Sequence, residues 1–298
     1  MENSPLIDIG LPVALAIIMV GIGLTLTVAD FRREARQPRG MVVGSIGQLL
    51  VTPALGFGIA AALSLDPVIA VGLVIAAACP GGTTSNLIAF LGQANVALSI
   101  VMTVIASVVT IVTLPLFAEL ALDWQPGVDG AVQVPLGRTI GLLVGVVLVP
   151  VLLGMMVRAR NVALASRLER GVSIFGAVVL AALIVGIAVD LGDDVPVFLR
   201  QAGPAVLLLN LGGILLGFLS GRAAGLVWSD RLTLAIELGV KNSTLGILLA
   251  TLLSSNFEYA VPSAVYGLLM YVSAAALAVI GRRHARLHVP TGPTSTDR

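Results

Sequence analysis

Charged side chains are scarce in this sequence, 11% of 298 residues, against about a quarter in an ordinary soluble domain. So few cannot cover a water-facing surface of this size, which excludes a soluble globular fold. A basic excess is missing too. The net charge is +1, so no broad basic face exists to neutralise phosphates, and nucleic acid is excluded as a partner. Cysteine is nearly absent. The lone Cys79 rules out an intrachain disulfide, leaves the redox compartment open, and reads as a small packing residue ahead of Pro80. Histidine is almost as rare: with only His284 and His288, both near the C-terminus, no Cys/His metal cluster can be assembled. The N-terminus carries Glu2 and Asp8 with no basic residue ahead of its apolar stretch. No cleavable signal is expected, and the first helix should insert with its N-terminus outside.

What the sequence does have is long apolar stretches, with 57% hydrophobic residues and a mean hydropathy of +1.04. Crossing about 30 Å of hydrocarbon takes about 20 helical residues. Nine stretches qualify: 6–28, 41–63, 67–91, 96–120, 136–157, 172–191, 204–227, 231–253 and 259–280. The expected fold is an all-α polytopic membrane protein of nine transmembrane helices, with the lipid bilayer as its solvent. Arg32, Arg33, Arg36 and Arg39 follow the first stretch, and Arg158, Arg160, Arg167 and Arg170 the fifth. Arg222 and Arg231 flank the seventh loop, and Arg282, Arg283 and Arg286 follow the ninth. The alternate loops carry Asp66, Glu119, Asp123, Asp129, Asp190, Asp193, Asp194 and Glu258. By the positive-inside rule this predicts a multi-pass protein of the cell (inner) membrane, N-terminus outside and C-terminus cytoplasmic.

Two of the nine stretches are interrupted by polar residues. The third reads Cys79-Pro80-Gly81-Gly82-Thr83-Thr84-Ser85-Asn86. Proline removes a helical donor and glycine weakens the helix further, so the backbone opens where only protein or a water-filled cavity can satisfy it. The eighth reads Glu237-Leu238-Gly239-Val240-Lys241-Asn242-Ser243-Thr244. Ionisable groups at that depth cost at least about 2.5 kcal/mol each and persist where they pair, face a cavity or serve a pathway. The two stretches run in opposite senses. Pairing the first four stretches with the last four gives inverted repeats around an unmatched fifth. Interrupted helices at matching places in inverted halves mark the substrate and ion site of a secondary transporter. A scaffolding bundle would not need this polar content. A hydrolase would have only Ser85 or Ser243 with Lys241 to work with, and no enzyme activity is expected. An open channel fits a charged midplane less well than a gated site.

These segments resemble the signatures of the bile acid:sodium symporter family. The first-half likeness lies in Pro80 to Asn86 and in Ala97-Leu98-Ser99-Ile100-Val101-Met102-Thr103, the second-half likeness in Glu237 to Ser243. The resemblance covers nearly the whole membrane region and is closest to a nine-helix form. It implies two crossing broken helices, a core at 41–121 and 204–280, a panel at 6–29 and 136–191, and a cytoplasmic tail at 281–298. It implies a sodium site at Ser85, Asn86, Ser99, Thr103 and Glu237, all oxygen donors suited to a hard cation. A second cation site would use Gln48, Glu237 and carbonyls at Leu238 and Val240, with a glutamine where this chain has Lys241. Substrate would bind near Thr83, Thr84 and Asn242.

Lys241 departs from the family pattern, and it is the only lysine among 17 basic residues. An ammonium has no lone pair to offer sodium and repels it. It stands in for the second cation, or titrates during the cycle, or pairs with an anionic substrate. The first reading predicts a symporter of a small organic anion, working by alternating access and coupled to one Na+, with no organic cofactor. The alternative is proton-coupled or sodium-independent anion transport through a Glu237/Lys241 pair. Neither the cargo nor any protein partner can be read from the sequence.

Overall fold

The structure, a computed structural model, describes residues 9–125, 135–253 and 257–287. Glu2, Asp8, Asp129 and the part of the expected tail from His288 onward lie outside the described residues. Within them every regular element is helical: α1 (Leu11–Thr25), α2 (Val28–Arg36), α3 (Arg39–Ile46), α4 (Thr52–Ala62), α5 (Pro67–Ala78), α6 (Thr83–Leu91), α7 (Val96–Trp124), α8 (Leu136–Leu143), α9 (Val149–Arg160), α10 (Val162–Leu191), α11 (Val195–Ala223), α12 (Trp228–Gly239), α13 (Ser243–Leu253) and α14 (Val261–Leu287). Single π-helical turns at Gly47–Val51 and Val144–Leu148 join α3 to α4 and α8 to α9.

Helix starts follow local chemistry. Asp66 Oδ1 accepts from the Val68 amide at 3.0 Å to open α5, Asn95 Oδ1 from Leu98 at 3.1 Å to open α7, and Asn161 Oδ1 from Leu164 at 2.9 Å to open α10. Each satisfies a first-turn amide that no intrahelical carbonyl reaches.

Two expected boundaries are corrected. The sixth stretch was expected from 172, but α10 begins at Val162 because Asn161 caps it there. Its first ten residues include Arg167, Glu169 and Arg170 and are too polar to register as apolar. The seventh was expected over 204–227, but α11 covers Val195–Ala223, with Pro196 in its first turn and Pro204 carried inside the helix. The chain also stays helical through Leu287, so the first seven residues of the expected tail extend α14.

Among the described residues six helical segments are long and apolar enough to cross a membrane, or up to eight if each of two bent pairs is one span. One of the six is the 62-residue run Val162–Ala223, about 93 Å if it were straight. It consists of α10 and α11 joined by a turn at Gly192–Asp194, where Gly192 takes φ +50°, a backbone that favours glycine.

α1 packs chiefly on α9 and α10, while α11 packs on α12, α14 and α4, and α5 on α4, α7 and α14. The α1–α9 crossing is close. A Cβ on Gly23 would strike the Val151 carbonyl, and one on Gly154 the Val20 carbonyl. Burial is graded: the apolar window of α12–α13 is wholly buried, against 11% of that in α10–α11. Val185 and Val189, 62% and 73% exposed, present the apolar surface that lipid would cover.

Candidate ion and substrate site

Both interrupted stretches break where the sequence changes character. α5 ends at Ala78, Cys79 turns to ψ 143°, and α6 restarts at Thr83, bent 59° from α5. α12 ends at Gly239, Val240 is extended (φ −111°, ψ 118°), and α13 restarts at Ser243. The two breaks touch, the Asn242 amide donating to the Pro80 carbonyl at 2.8 Å. The open end of α12 is held from outside the break. Asn210 Nδ2 and the Tyr266 hydroxyl donate to the Gly239 carbonyl at 2.7 and 2.8 Å, replacing partners lost where the helix stops.

Ser85, Asn86, Ser99, Thr103 and Glu237 come together beside this crossing, and all five are buried. Ser99 Oγ lies 2.9 Å from Asn86 Oδ1 and 2.5 Å from Glu237 Oε1. Thr103 Oγ1 lies 3.0 Å from Glu237 Oε2 and 3.4 Å from both Asn86 Oδ1 and Ser85 Oγ. The Ser85 hydroxyl donates to the Gly82 carbonyl at 2.7 Å. The proton count is short. The Ser99 and Thr103 hydroxyls supply one hydrogen each, yet they face three acceptors, Glu237 Oε1, Glu237 Oε2 and Asn86 Oδ1, and the buried Asn86 Nδ2 bonds none of these. A buried cluster with surplus oxygen acceptors and one carboxylate is what a hard cation satisfies. Gly81 leaves it room: a Cβ there would lie 2.6 Å from Glu237 Oε2 and 3.3 Å from both Ser85 Oγ and Thr103 Oγ1.

The members of the expected second cation site are less well joined. Gln48 sits in the π-helical turn, 1% exposed, with neither its Oε1 nor its Nε2 bonded. Leu238 and Val240 are buried. A Cβ on neighbouring Gly47 would come within 2.9 Å of Leu238 Cδ2, so this turn packs on the end of α12. Lys241, 2% exposed, donates from Nζ to Thr52 Oγ1 at 3.0 Å. Thr52 can only accept, because its own hydrogen serves the Gln48 carbonyl at 2.7 Å or that of Ala77 at 3.1 Å.

No ion pair joins Lys241 to Glu237. Four residues apart on a continuous helix they would be neighbours, but the helix ends at Gly239, and the extended Val240 carries Lys241 toward α4. The alternative reading through Glu237 and Lys241 would therefore have to work without direct contact between the two side chains.

Thr83, Thr84 and Asn242 line one small cavity of about 40 Å³, with Lys241, Ser243 and Thr244 beside them and Ile18, Ser173, Gly176 and Leu180 from α1 and α10 also in its wall. Asn242 Nδ2 and Ser243 Oγ are buried there without partners. A second cavity, of about 490 Å³, is lined by Thr25, Asn86, Leu87, Phe90, Ile100, Arg158, Glu169, Arg170 and Ser173. It shares Ser173 with the first and reaches Asn86 of the oxygen cluster.

Sequence reasoning missed Thr52, Gly81, Asn210 and Tyr266. Asn210 carried a signal, a lone amide in Leu207-Leu208-Leu209-Asn210-Leu211. Thr52, just before Pro53, reads as an ordinary helical residue.

Comparison with known proteins places the chain in a family. The model of the sodium bile acid symporter family matches residues 12–195. An uncharacterized sodium-dependent transporter of Bacillus subtilis is 35% identical over 272 residues, 89% of this chain and 80% of that protein. A probable chloroplastic sodium/metabolite cotransporter of Oryza sativa is 34% identical over 276 residues, covering 91% of this chain and 63% of the relative. The Homo sapiens ileal sodium/bile acid cotransporter is 32% identical over 238 residues, 79% and 67% of the two chains. These relatives carry the names of transporters, not enzymes. With one matched model spanning more than half its length and relatives matched across most of it, this multi-helix membrane chain belongs to the sodium bile acid symporter family.

Proposed function

We propose that the protein is a symporter that moves a small organic anion together with one sodium ion by alternating access. The observation that carries this is the proton-poor cluster of Ser85, Asn86, Ser99, Thr103 and Glu237, five buried oxygen-bearing side chains from α6, α7 and α12. Sodium is cargo in this cycle. Bound there, it would balance the Glu237 carboxylate and hold α6, α7 and α12 in one arrangement. The anion would bind in the adjoining cavity, against the Thr83 and Thr84 hydroxyls and the unpartnered Asn242 Nδ2 and Ser243 Oγ. α6 begins at Thr83 and α13 at Ser243, and helix N-termini favour an anion. Inward sodium movement adds about 2.3 kcal/mol per charge per 100 mV to its concentration gradient.

Lys241 supports the single sodium. Its ammonium is buried on Thr52 beside Gln48, where the resemblance puts a second cation, and a fixed positive charge does there what an ion would do. Contacts divide the helices in line with a panel of α1, α8, α9 and α10 against a core of α3 to α7 and α11 to α14. Counting α10 and α11 separately and each bent pair once is consistent with nine spans. The arginines at the ends of α9 and α14 favour a cytoplasmic position for that side of the molecule.

The test is thermal stability of the purified protein against sodium concentration, with choline as the control salt. Wild type should gain stability in the manner of one saturable site. Glu237→Gln should lose that gain, and Lys241→Gln should bind sodium at two sites. A wild-type melting temperature indifferent to sodium would end the symport reading.

A further inference from the structure

The oxygen cluster is built on helices whose separation is fixed one turn away from it. Asn95 stands four residues before Ser99 at the start of α7, and Thr233 four before Glu237 on α12, about 6 Å along each helix. These two meet. The Asn95 amide donates to Thr233 Oγ1 at 2.9 Å, and the Thr233 hydroxyl gives its own hydrogen to the Asn95 carbonyl at 3.1 Å or to that of Ser229 at 2.9 Å. The Asn95 carbonyl also accepts from the Ser99 amide at 3.1 Å, so one oxygen stands between Thr233 and the residue that bonds Glu237. The Asn95 side chain is occupied as well. Its Oδ1 caps α7, and its Nδ2 donates to Asp230 Oδ1 at 3.0 Å and reaches Glu34 Oε1 at 3.5 Å. Thr233 is fully buried, and Leu98, Met102, Leu234 and Leu238 pack across the same two helices. Apolar contact alone holds two helices together without fixing how far one slides along the other; directional bonds shielded from water fix it. α12 is thus pinned on both sides of Glu237, by Thr233 one turn before and by the Asn210 and Tyr266 bonds to Gly239 just after.

We propose that Asn95 and Thr233 are positioning residues for sodium: without belonging to the cluster, their mutual hydrogen bonds set the distance between Ser99 and Glu237, and with it the size of the oxygen cage. This rests on the sodium reading of the cluster and adds to it what governs the choice of ion. A cage of fixed dimension distinguishes cations by size, whereas one free to relax closes on a smaller ion nearly as well.

The experiment measures dissociation constants for sodium and for lithium in the full chain, from melting temperature against each ion at constant ionic strength in choline. Thr233→Val keeps the shape of the side chain and loses the hydroxyl. It should raise the sodium constant about tenfold and bring the sodium and lithium constants closer together. Thr233→Ser, which restores the hydroxyl, should return both toward wild type. Asn95→Ser keeps a capping oxygen for Leu98 but drops the tie to Asp230, and should weaken sodium binding about threefold; it decides the matter if Thr233→Val does not fold. Thr110→Val removes a buried hydroxyl elsewhere on α7, one that bonds only its own helix. It should lower the melting temperature in choline without moving either constant. Thr233→Val and Asn95→Ser proteins that melt lower in choline yet keep wild-type constants for both ions would overturn the positioning role. So would a Thr110→Val protein whose constants move as far as those of Thr233→Val. A wild type indifferent to sodium ends the symport reading, and this inference with it. A wild type that sodium stabilises, with Thr233→Val binding sodium equally well, ends the positioning role alone.

Discussion

At the scale of single residues, the site depends on what is absent as much as on what is present. Gly81 has no side chain where a Cβ would press within 2.6 Å of Glu237 Oε2. Gly81→Ala should therefore remove sodium-dependent stabilisation while leaving an intact helical protein, checked by circular dichroism and a sodium titration of the melting temperature. Thr52 is present for a different reason, as the one group among the described residues that is hydrogen-bonded to the buried Lys241 ammonium. Thr52→Val should cost roughly 1.5–3 kcal/mol, since a charged donor loses its acceptor out of water. Lys241→Met made alongside should return most of that loss, and a double-mutant cycle in denaturant isolates the coupling. Ser85, Asn86 and Glu237 were legible in the sequence because polar side chains at membrane depth stand out against apolar flanks, whereas Ser99 and Thr103 entered only through the resemblance to the family. Thr52 was not legible, because a threonine can bond its own helix backbone and then needs no explanation. The separation of Glu237 from Lys241 was not legible for a related reason: an i, i+4 relation holds only while the helix does, and it stops at Gly239 between them.

At the scale of elements, a broken helix needs partners for the groups that the break exposes. The Gly239 carbonyl receives them from two other helices, Asn210 on α11 and Tyr266 on α14. Tyr266→Phe removes one of two donors and should lower stability by about 1 kcal/mol, while Asn210→Ala in the same background should cost more than the sum of the separate changes. Differential scanning of the single and double variants checks this. The amphipathic α2 adds a pH dependence. The Glu34 carboxyl is raised above its ordinary range, first by burial, against a hydrogen bond from Asn95 that lowers it, with Asp230 and Asp30 raising it and Arg33 lowering it. A raised acid favours its protonated form in the folded state. Its contribution to docking α2 on α7 is therefore complete below the free glutamate value and is lost as pH climbs through the raised one. Intrinsic-rate-corrected amide exchange over residues 28–36 should be slower at about pH 5 than at about pH 8, and Glu34→Gln should flatten the difference. Element identity was largely readable from apolar length. The starts of α10 and α11 were not, because a cap at Asn161 and a proline at 196 act through the backbone and leave no mark on hydropathy.

At the scale of the whole molecule, the two cavities and their shared wall define what has to move. Ser173 of α10 lines both, α1 contributes Ile18 to one and Thr25 to the other, and Asn86 of the oxygen cluster borders the larger. Motion of α1, α9 and α10 as a body would open or seal the larger cavity without disturbing the hydrogen bonds among α6, α7 and α12. The close α1–α9 crossing at Gly23 and Gly154 makes these helices a unit. Interhelical distance of that kind is set by glycine on both sides, which the sequence contains but cannot pair. The native chain is convenient for testing this, because its single cysteine, Cys79, is fully buried. A cysteine placed at Leu87, half exposed in the wall of the larger cavity, should be the site that a membrane-impermeant thiol reagent labels. Labelling should come from the cytoplasmic side if the arginines of α9 and α14 lie there, and sealed vesicles of both orientations decide it. Sodium with a transported anion should slow the reaction several-fold by shifting the population toward the state in which α10 covers α6. An unchanged rate, in a protein that sodium still stabilises, would mean that the panel does not close over this cavity. Release would then have to proceed through the smaller one.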